Sequence, residues 1–162
     1  KVGLFLHFCS MKKFYFLILS IFMITSSCKE KNKLNDLDWL IGKWEGTARN
    51  GNIFYEEWKK QSDTAFVNNN YHFEGDKQVF GGTSKIALRN NRLYYINDSD
   101  SLKMLQWEAE VHNPTSMTFH NDKITPYNRI TFSLSEQNTW DAMLMGKKDT
   151  VKYSLKRKIM PY

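Results

Sequence analysis

Cysteine is nearly absent: the 162-residue chain has two, Cys9 and Cys28, and none beyond position 28. Everything after Cys28 must therefore fold without a disulfide framework and without a thiolate metal site. Catalytic signatures are missing too. There is no Gly-x-Ser-x-Gly nucleophile elbow, no phosphate-cradling glycine loop and no Gly-x-Gly-x-x-Gly, and Gly81-Gly82-Thr83-Ser84 is too short to serve as one. His72, His112 and His120 fall on separate runs or turns, without the three- or four-ligand spacing that zinc requires, so no metal is expected. Basic residues form no stripe. Lys59-Lys60, Lys147-Lys148 and Lys156-Arg157-Lys158 are scattered among acids, which excludes a nucleic-acid partner. No internal repeat, low-complexity segment or sustained helical period is present.

What the chain has, at its start, is one hydrophobic run. Met11-Lys12-Lys13 leads into an apolar stretch from Phe14 to Thr25, followed by Ser26-Ser27-Cys28. A positive segment, a dozen apolar residues and small residues before a cut form the secretory pattern. The run is too short for a membrane span, which needs about 20 residues. Ser-Ser-Cys resembles the lipobox of bacterial lipoproteins, where the cysteine is lipidated and becomes the first mature residue. Residues 1–10 then read as upstream sequence before a start at Met11, 11–27 as a lipoprotein signal peptide, and 28–35 as a lipidated tether. Residues 36–162 form the expected domain. Multiple acyl chains on Cys28 would hold it at a membrane, since one chain alone binds only marginally. Lys29, in place of an inner-membrane retention aspartate, points by the same resemblance to the outer membrane of the cell envelope. The leader also carries much of the charge. Of 23 basic residues it holds Lys1, Lys12 and Lys13 and it has no acid, so the rest of the chain carries 20 against 17, or +3 rather than +6.

The remainder suits one domain with a sizeable core. Aromatics make up 15% of the chain, and all five tryptophans follow Cys28, so packing must do what disulfides cannot. Asn35 and Asp36 can cap a single helical turn through Leu37, Trp39, Leu40 and Ile41, ended by Gly42. From Lys43 onward, β-branched and aromatic runs alternate with turn residues every eight to twelve positions, the all-β pattern. The expected strands are 43–49, 53–60, 64–73, 78–88, 92–97, 102–111, 116–119, 129–134, 139–145 and 150–157. Asn50-Gly51 is the strongest hairpin signal among the turns. Ten strands in up-and-down antiparallel order close most simply into a β-barrel, which removes exposed edges. Gly81-Gly82 reads as a bulge or corner.

The segment Trp39-Leu40-Ile41-Gly42-Lys43-Trp44 resembles the start of the calycin superfamily, whose lipocalin members open with a 3₁₀ turn and Gly-x-Trp. In that family an arginine of the last strand lies across the tryptophan and closes the barrel base. Gly42, Trp44 and Arg157 take those places here. With Glu56-Glu57-Trp58 and Phe119-His120-Asn121…Arg129-Ile130, the chain resembles a bacterial family of lipocalin-like domains of unknown function, often found on lipoproteins. A His-Asp pair common there between the Asn and the Arg is replaced by Asp122 to Asn128. The scaffold also resembles that of the haem-binding nitrobindins, whose axial histidine lies near the chain's end. No histidine follows His120 here, so haem and other cofactors are not expected.

Glu56 shares a strand face with Phe54 and Trp58, which would aim a carboxyl into an aromatic interior. There it must either pair with a cation, Arg129 or Arg89, or take a raised pKa. Glu57, on the other face, is expected to be solvated. The expected ligand-binding set is Glu56, Trp58, Tyr71, Phe73, Tyr95, Trp107 and Arg129. The leading functional expectation is a lipid-anchored barrel holding a small apolar or amphipathic ligand at the envelope. A filled barrel that docks an envelope protein partner through an outer aromatic patch is the alternative. An enzyme using Glu56 as general base comes third, and the expectation is that the chain is not an enzyme.

Overall fold

The computed structural model describes residues 33–98 and 104–158. The expected leader over 1–27 and the lipidation site at Cys28 lie outside the described residues. A 3₁₀ helix, Lys33–Leu40, comes first and begins upstream of the expected Asn35 and Asp36 caps, because Leu34 as well as Leu37 and Leu40 is drawn into the core. Ten strands follow: β1 Gly42–Thr47, β2 Ile53–Ser62, β3 Ala65–Glu74, β4 Lys77–Arg89 and β5 Arg92–Asn97. The second half comprises β6 Leu105–Asn113, β7 Ser116–His120, β8 Tyr127–Glu136, β9 Thr139–Gly146 and β10 Thr150–Arg157. Each strand pairs antiparallel with its neighbours in sequence, and β1 pairs with β10, giving a closed ten-stranded up-and-down barrel.

Alternation along each strand decides which side chains enter the barrel. Trp44 of β1 stands opposite Glu56 of β2 and Arg157 of β10, so all three point inward. Through the same ladders Phe54 and Trp58 of β2, Phe66 and Asn68 of β3, Ser84 and Ile86 of β4 and Leu93 and Tyr95 of β5 share the inner surface. Register shifts break this parity at two informative places. One, between Asn70 and Tyr71, skips Gly81 on β4, which is the bulge expected at Gly81-Gly82. The other lies between Ala109 and Val111. It turns Val111 away from the inward side of Leu105, Trp107 and Ala109, where simple alternation puts it, and leaves it 51% exposed.

One end of the barrel is solid. Leu34, Leu37 and Leu40 of the helix lie against Trp44, Trp58 and Trp140, with Phe66 and Phe119 above, all at or near complete burial. Trp39 and Trp44 both meet Trp140 edge to face at 6.2 Å, and Phe132 meets it at 5.2 Å. A 3₁₀ helix leaves its last carbonyls without partners. Here the Trp44 indole donates to Leu40 O at 2.7 Å, and the Arg157 guanidinium donates to Ile41 O at 3.0 Å and Trp39 O at 3.2 Å. That guanidinium also lies 4.2 Å over the Trp44 ring. Gly42 sits at φ +140°, and a Cβ there would run into Arg157 Nη1, so the glycine of the Gly-x-Trp segment makes room for the closing arginine.

Gly146 has a different reason to lack a side chain. A Cβ on it would strike the backbone carbonyl of Pro126, which, unlike a side-chain tip, has no rotamer to retreat into. Gly146→Ala is therefore expected to lower the unfolding free energy by about 2 kcal/mol, measured by urea titration. A change within about 0.5 kcal/mol would show that the β8 and β9 ends separate freely.

Candidate functional site

The other end of the barrel is open. A cavity of about 440 Å³ enters there, beneath the β1–β2 hairpin residues Ala48, Asn50 and Asn52. This hairpin is built as Asn50-Gly51 predicts, with Gly51 N donating to Ala48 O at 2.9 Å and Ala48 N to Asn52 O at 2.8 Å. At the rim, Arg49 grips Asp149 of the β9–β10 turn through both guanidinium nitrogens, at 2.9 and 3.0 Å, and this holds the Asp149 carboxyl below its ordinary range. The chain enters the barrel at the opposite, closed end, where the 3₁₀ helix packs.

The cavity walls differ in chemistry. On one side, β8, β9 and β10 supply Ile130, Phe132, Ala142, Leu144, Tyr153 and Leu155. On the facing side, β2 and β3 supply Phe54, Glu56, Asn70 and His72. Trp58 and Tyr95 form part of the floor.

Glu56 is the centre of this arrangement. Protein surrounds its carboxyl, and the half-buried side chain faces the open cavity. Burial raises its pKa from 4.5 to about 7, against the opposing effect of hydrogen bonds from the Trp58 indole and the Asn68 side chain, which favour the charged form. The Trp58 bond spans 2.8 Å, from Nε1 to Oε2. Tyr95 stands in the same pocket. Burial lifts its phenol to about 12, the nearby Glu56 charge adds to the rise, and a hydrogen bond with Ser84 works against it. Asn68 bonds Ser84 in turn, Nδ2 to Oγ at 3.4 Å, and its Oδ1 is buried without a partner.

Of the expected ligand-binding set, the structure brings Glu56, Trp58 and Tyr95 together around the cavity. The other four are placed elsewhere. Tyr71 and Phe73 stand on the outer face of β3, because Tyr71 pairs with the outward Tyr55 and not with Glu56. They line an external groove with Tyr55 and Lys158, where Phe73 meets Tyr55 at 5.6 Å and Tyr71 meets Phe80 at 5.7 Å. Trp107 points inward but is packed into the core, 5.6 Å from Tyr95, with its indole donating to Tyr127 O at 3.2 Å. Arg129 is on the outside and pairs with Glu110 at 3.1 Å. Neither Arg129 nor Arg89, which reaches Gln106 at 3.5 Å, is the counter-ion of Glu56. Glu57 is outward as expected, between Lys43 at 3.7 Å and Lys59 at 3.0 Å.

Phe54, expected inward on the face of Glu56, lines the cavity, and so do Asn70, His72, Phe132, Leu144 and Tyr153, which were not expected there. The signal for two of these, Asn70 and His72, was available in the register. Once Glu56 is inward, its neighbour Phe54 is inward, and so are Asn70 and His72, which pair directly with Glu56 and Phe54. The aromatic weight of Tyr71 and Phe73 masked this, since counting apolar groups selects the wrong face of β3.

Among solved structures, the chain is similar to a redesigned β-barrel at 11% identity, with a TM-score of 0.41 over 75% of this chain and 94% of that one. It is also similar to a de novo designed fluorescence-activating β-barrel at 12% identity, with a TM-score of 0.37 over 75% and 95% of the two chains. No family model and no curated protein matches the sequence.

Proposed function

We propose that this barrel is the ligand-holding domain of a cell-envelope lipoprotein, anchored through Cys28, and that its open end takes up a small amphipathic molecule. The observation that supports the binding reading is the cavity itself. Its volume of about 440 Å³ lies within the range of small-molecule sites, and it has one apolar wall facing a few convergent polar groups. A barrel serving only as a structural element would gain stability by filling that space, since voids forfeit contacts. The lipocalin-like reading and the address rest on the sequence resemblances.

Native mass spectrometry of residues 29–162 purified from the protein's own host tests the first part, with a retained small molecule expected. Leu144→Trp should lose that molecule, with affinity reduced at least about tenfold, because the indole would extend into space that a ligand needs. Undiminished occupancy in that variant would place the ligand elsewhere. The anchor is tested by labelled palmitate in a bacterial host. Incorporation that persists in Cys28→Ser would refute lipidation at that residue.

The alternative, docking of an envelope protein, is favoured by the outer aromatics around Tyr55 and Tyr71, where Phe73 is 44% and Phe80 57% exposed. Co-purification of a protein that is lost in a Phe73→Ser, Phe80→Ser double variant would support it.

A further inference from the structure

We propose that the cavity selects a cationic amphiphile: an amine whose ammonium group sits against the Glu56 carboxylate while its hydrocarbon or aromatic part lies on Phe132, Ile130 and Leu144. The proposal deepens the ligand-binding reading and depends on it.

Charge balance carries the argument. Among the described residues Glu56 is the only carboxylate lining the cavity, and no lysine or arginine lines it. The cations of the surrounding strands are engaged elsewhere. Lys43 and Lys59 hold Glu57 on the outer face, Arg129 holds Glu110, and Arg157 is committed to the closed end. A carboxylate partly withdrawn from water and without a counter-ion is disfavoured, so an incoming ammonium supplies the partner that the protein does not. The surroundings fit the same group. The rings of Phe54, Tyr95, Phe132 and Tyr153 can meet a cation over their faces, and the Asn70 side chain offers a hydrogen-bond acceptor. A fatty-acid anion would meet a like charge in a poorly solvated site, with no cation to receive it. A neutral alcohol would leave the carboxylate unpaired.

The titratable groups facing Glu56 are Tyr95 from β5, Tyr153 from β10 and, at the rim of β3, His72, which lies 3.5 Å from Glu74. The inward residues of β1, β8 and β9 at this level are Trp44, Ile130, Phe132, Ala142 and Leu144, and none of them titrates. With Glu56 half-ionised near pH 7, affinity for an amine should fall about tenfold between pH 8 and pH 6, as the ionised fraction falls from about nine-tenths to one-tenth. The variant Glu56→Gln isolates the carboxyl's share of that slope.

The test is calorimetry and tryptophan fluorescence on the full chain with three probes of one skeleton: phenylbutylamine, phenylbutanol and phenylbutyrate. At pH 8 the amine is expected to bind at least tenfold more tightly than the alcohol, and the acid most weakly. The amine alone should lose about tenfold by pH 6. In Glu56→Gln the ratio of amine to alcohol affinity should fall to about one, and the pH slope should flatten. Equal binding of amine and alcohol, tightest binding of the acid, or an unchanged slope in Glu56→Gln would each overturn the cationic assignment while leaving the cavity a binding site. Failure of all three probes to bind by both methods would remove the cavity reading, and this one with it.

Discussion

Trp44→Ala is expected to lower the unfolding free energy by about 4 kcal/mol, a large share of the roughly 5–15 kcal/mol that holds an ordinary domain together. Trp44 is completely buried, and three separate interactions meet on it: the edge-to-face contact with Trp140, the indole bond to Leu40 O and the guanidinium of Arg157. Truncation opens a cavity at the closed end and frees the Leu40 carbonyl, so the transfer and cavity costs add to that of a lost hydrogen bond. Arg157→Leu should cost less, about 2 kcal/mol. It removes the two bonds that cap Trp39 and Ile41 but keeps apolar bulk over the ring. Denaturant titrations of the two variants and their double mutant give the coupling. A double-mutant loss equal to the sum of the single losses would mean that the tryptophan and the arginine act independently, contrary to the closure described here.

The second large effect concerns pH. The folded Glu56 carboxyl titrates near 7, against an ordinary 4.5, so between those values the folded state holds a proton that the unfolded state has released. Stability therefore falls as pH rises through this window, by about 1.4 kcal/mol per unit and about 3 kcal/mol in all, and levels off above pH 7. This is opposite in sign to the contributions of Asp63, Asp141 and Asp149. Their pKa values are lowered by hydrogen-bonded partners, and their stabilisation is lost only as pH drops below the ordinary 3.8. The two windows do not overlap. Glu56→Gln keeps an acceptor for the Trp58 indole while removing the charge, so at pH 8 it should be about 2 kcal/mol more stable than the wild type, and at pH 4 close to equal to it. Parallel stability profiles for the two proteins between pH 5 and 7.5 would show that Glu56 ionises as freely as an exposed carboxyl. A site more stable without its charge than with it has kept the charge at a cost to folding, as expected where a ligand supplies the missing partner.

Much of this was legible in the chain. Ten β-rich runs with turn signals between them set the number and order of strands, because strand alternation and hairpin chemistry are local properties. Asn50-Gly51 and the Gly81 bulge follow from backbone preferences that no tertiary contact needs to supply. The closing group of Gly42, Trp44 and Arg157 was readable by resemblance, and its geometry has a plain steric reason in the missing Cβ of Gly42. An inward Glu56 followed from parity with Phe54 and Trp58 alone.

The lining of the cavity was not legible, and β3 shows why. Its inner face carries Asn68, Asn70 and His72 after Phe66, while its outer face carries Val67, Tyr71 and Phe73. Hydrophobicity, the usual guide to which face is buried, points the wrong way on this strand. The inner polar residues are tolerated because they border a cavity that the barrel leaves open, and the outer aromatics stack on each other across β2 and β4. Bulges had the same effect on Val111, since one extra residue reverses every later side chain on its strand. The sequence by itself thus determined the β class, the strand order and the acid that faces inward, which depend on neighbours along the chain, and the closing group of the sealed end was readable only by resemblance. Only the tertiary structure decided which aromatics line the cavity, where Arg129 goes and that no cation among the described residues reaches Glu56. Those depend on the register between strands far apart in sequence and on the space that ten closed strands enclose.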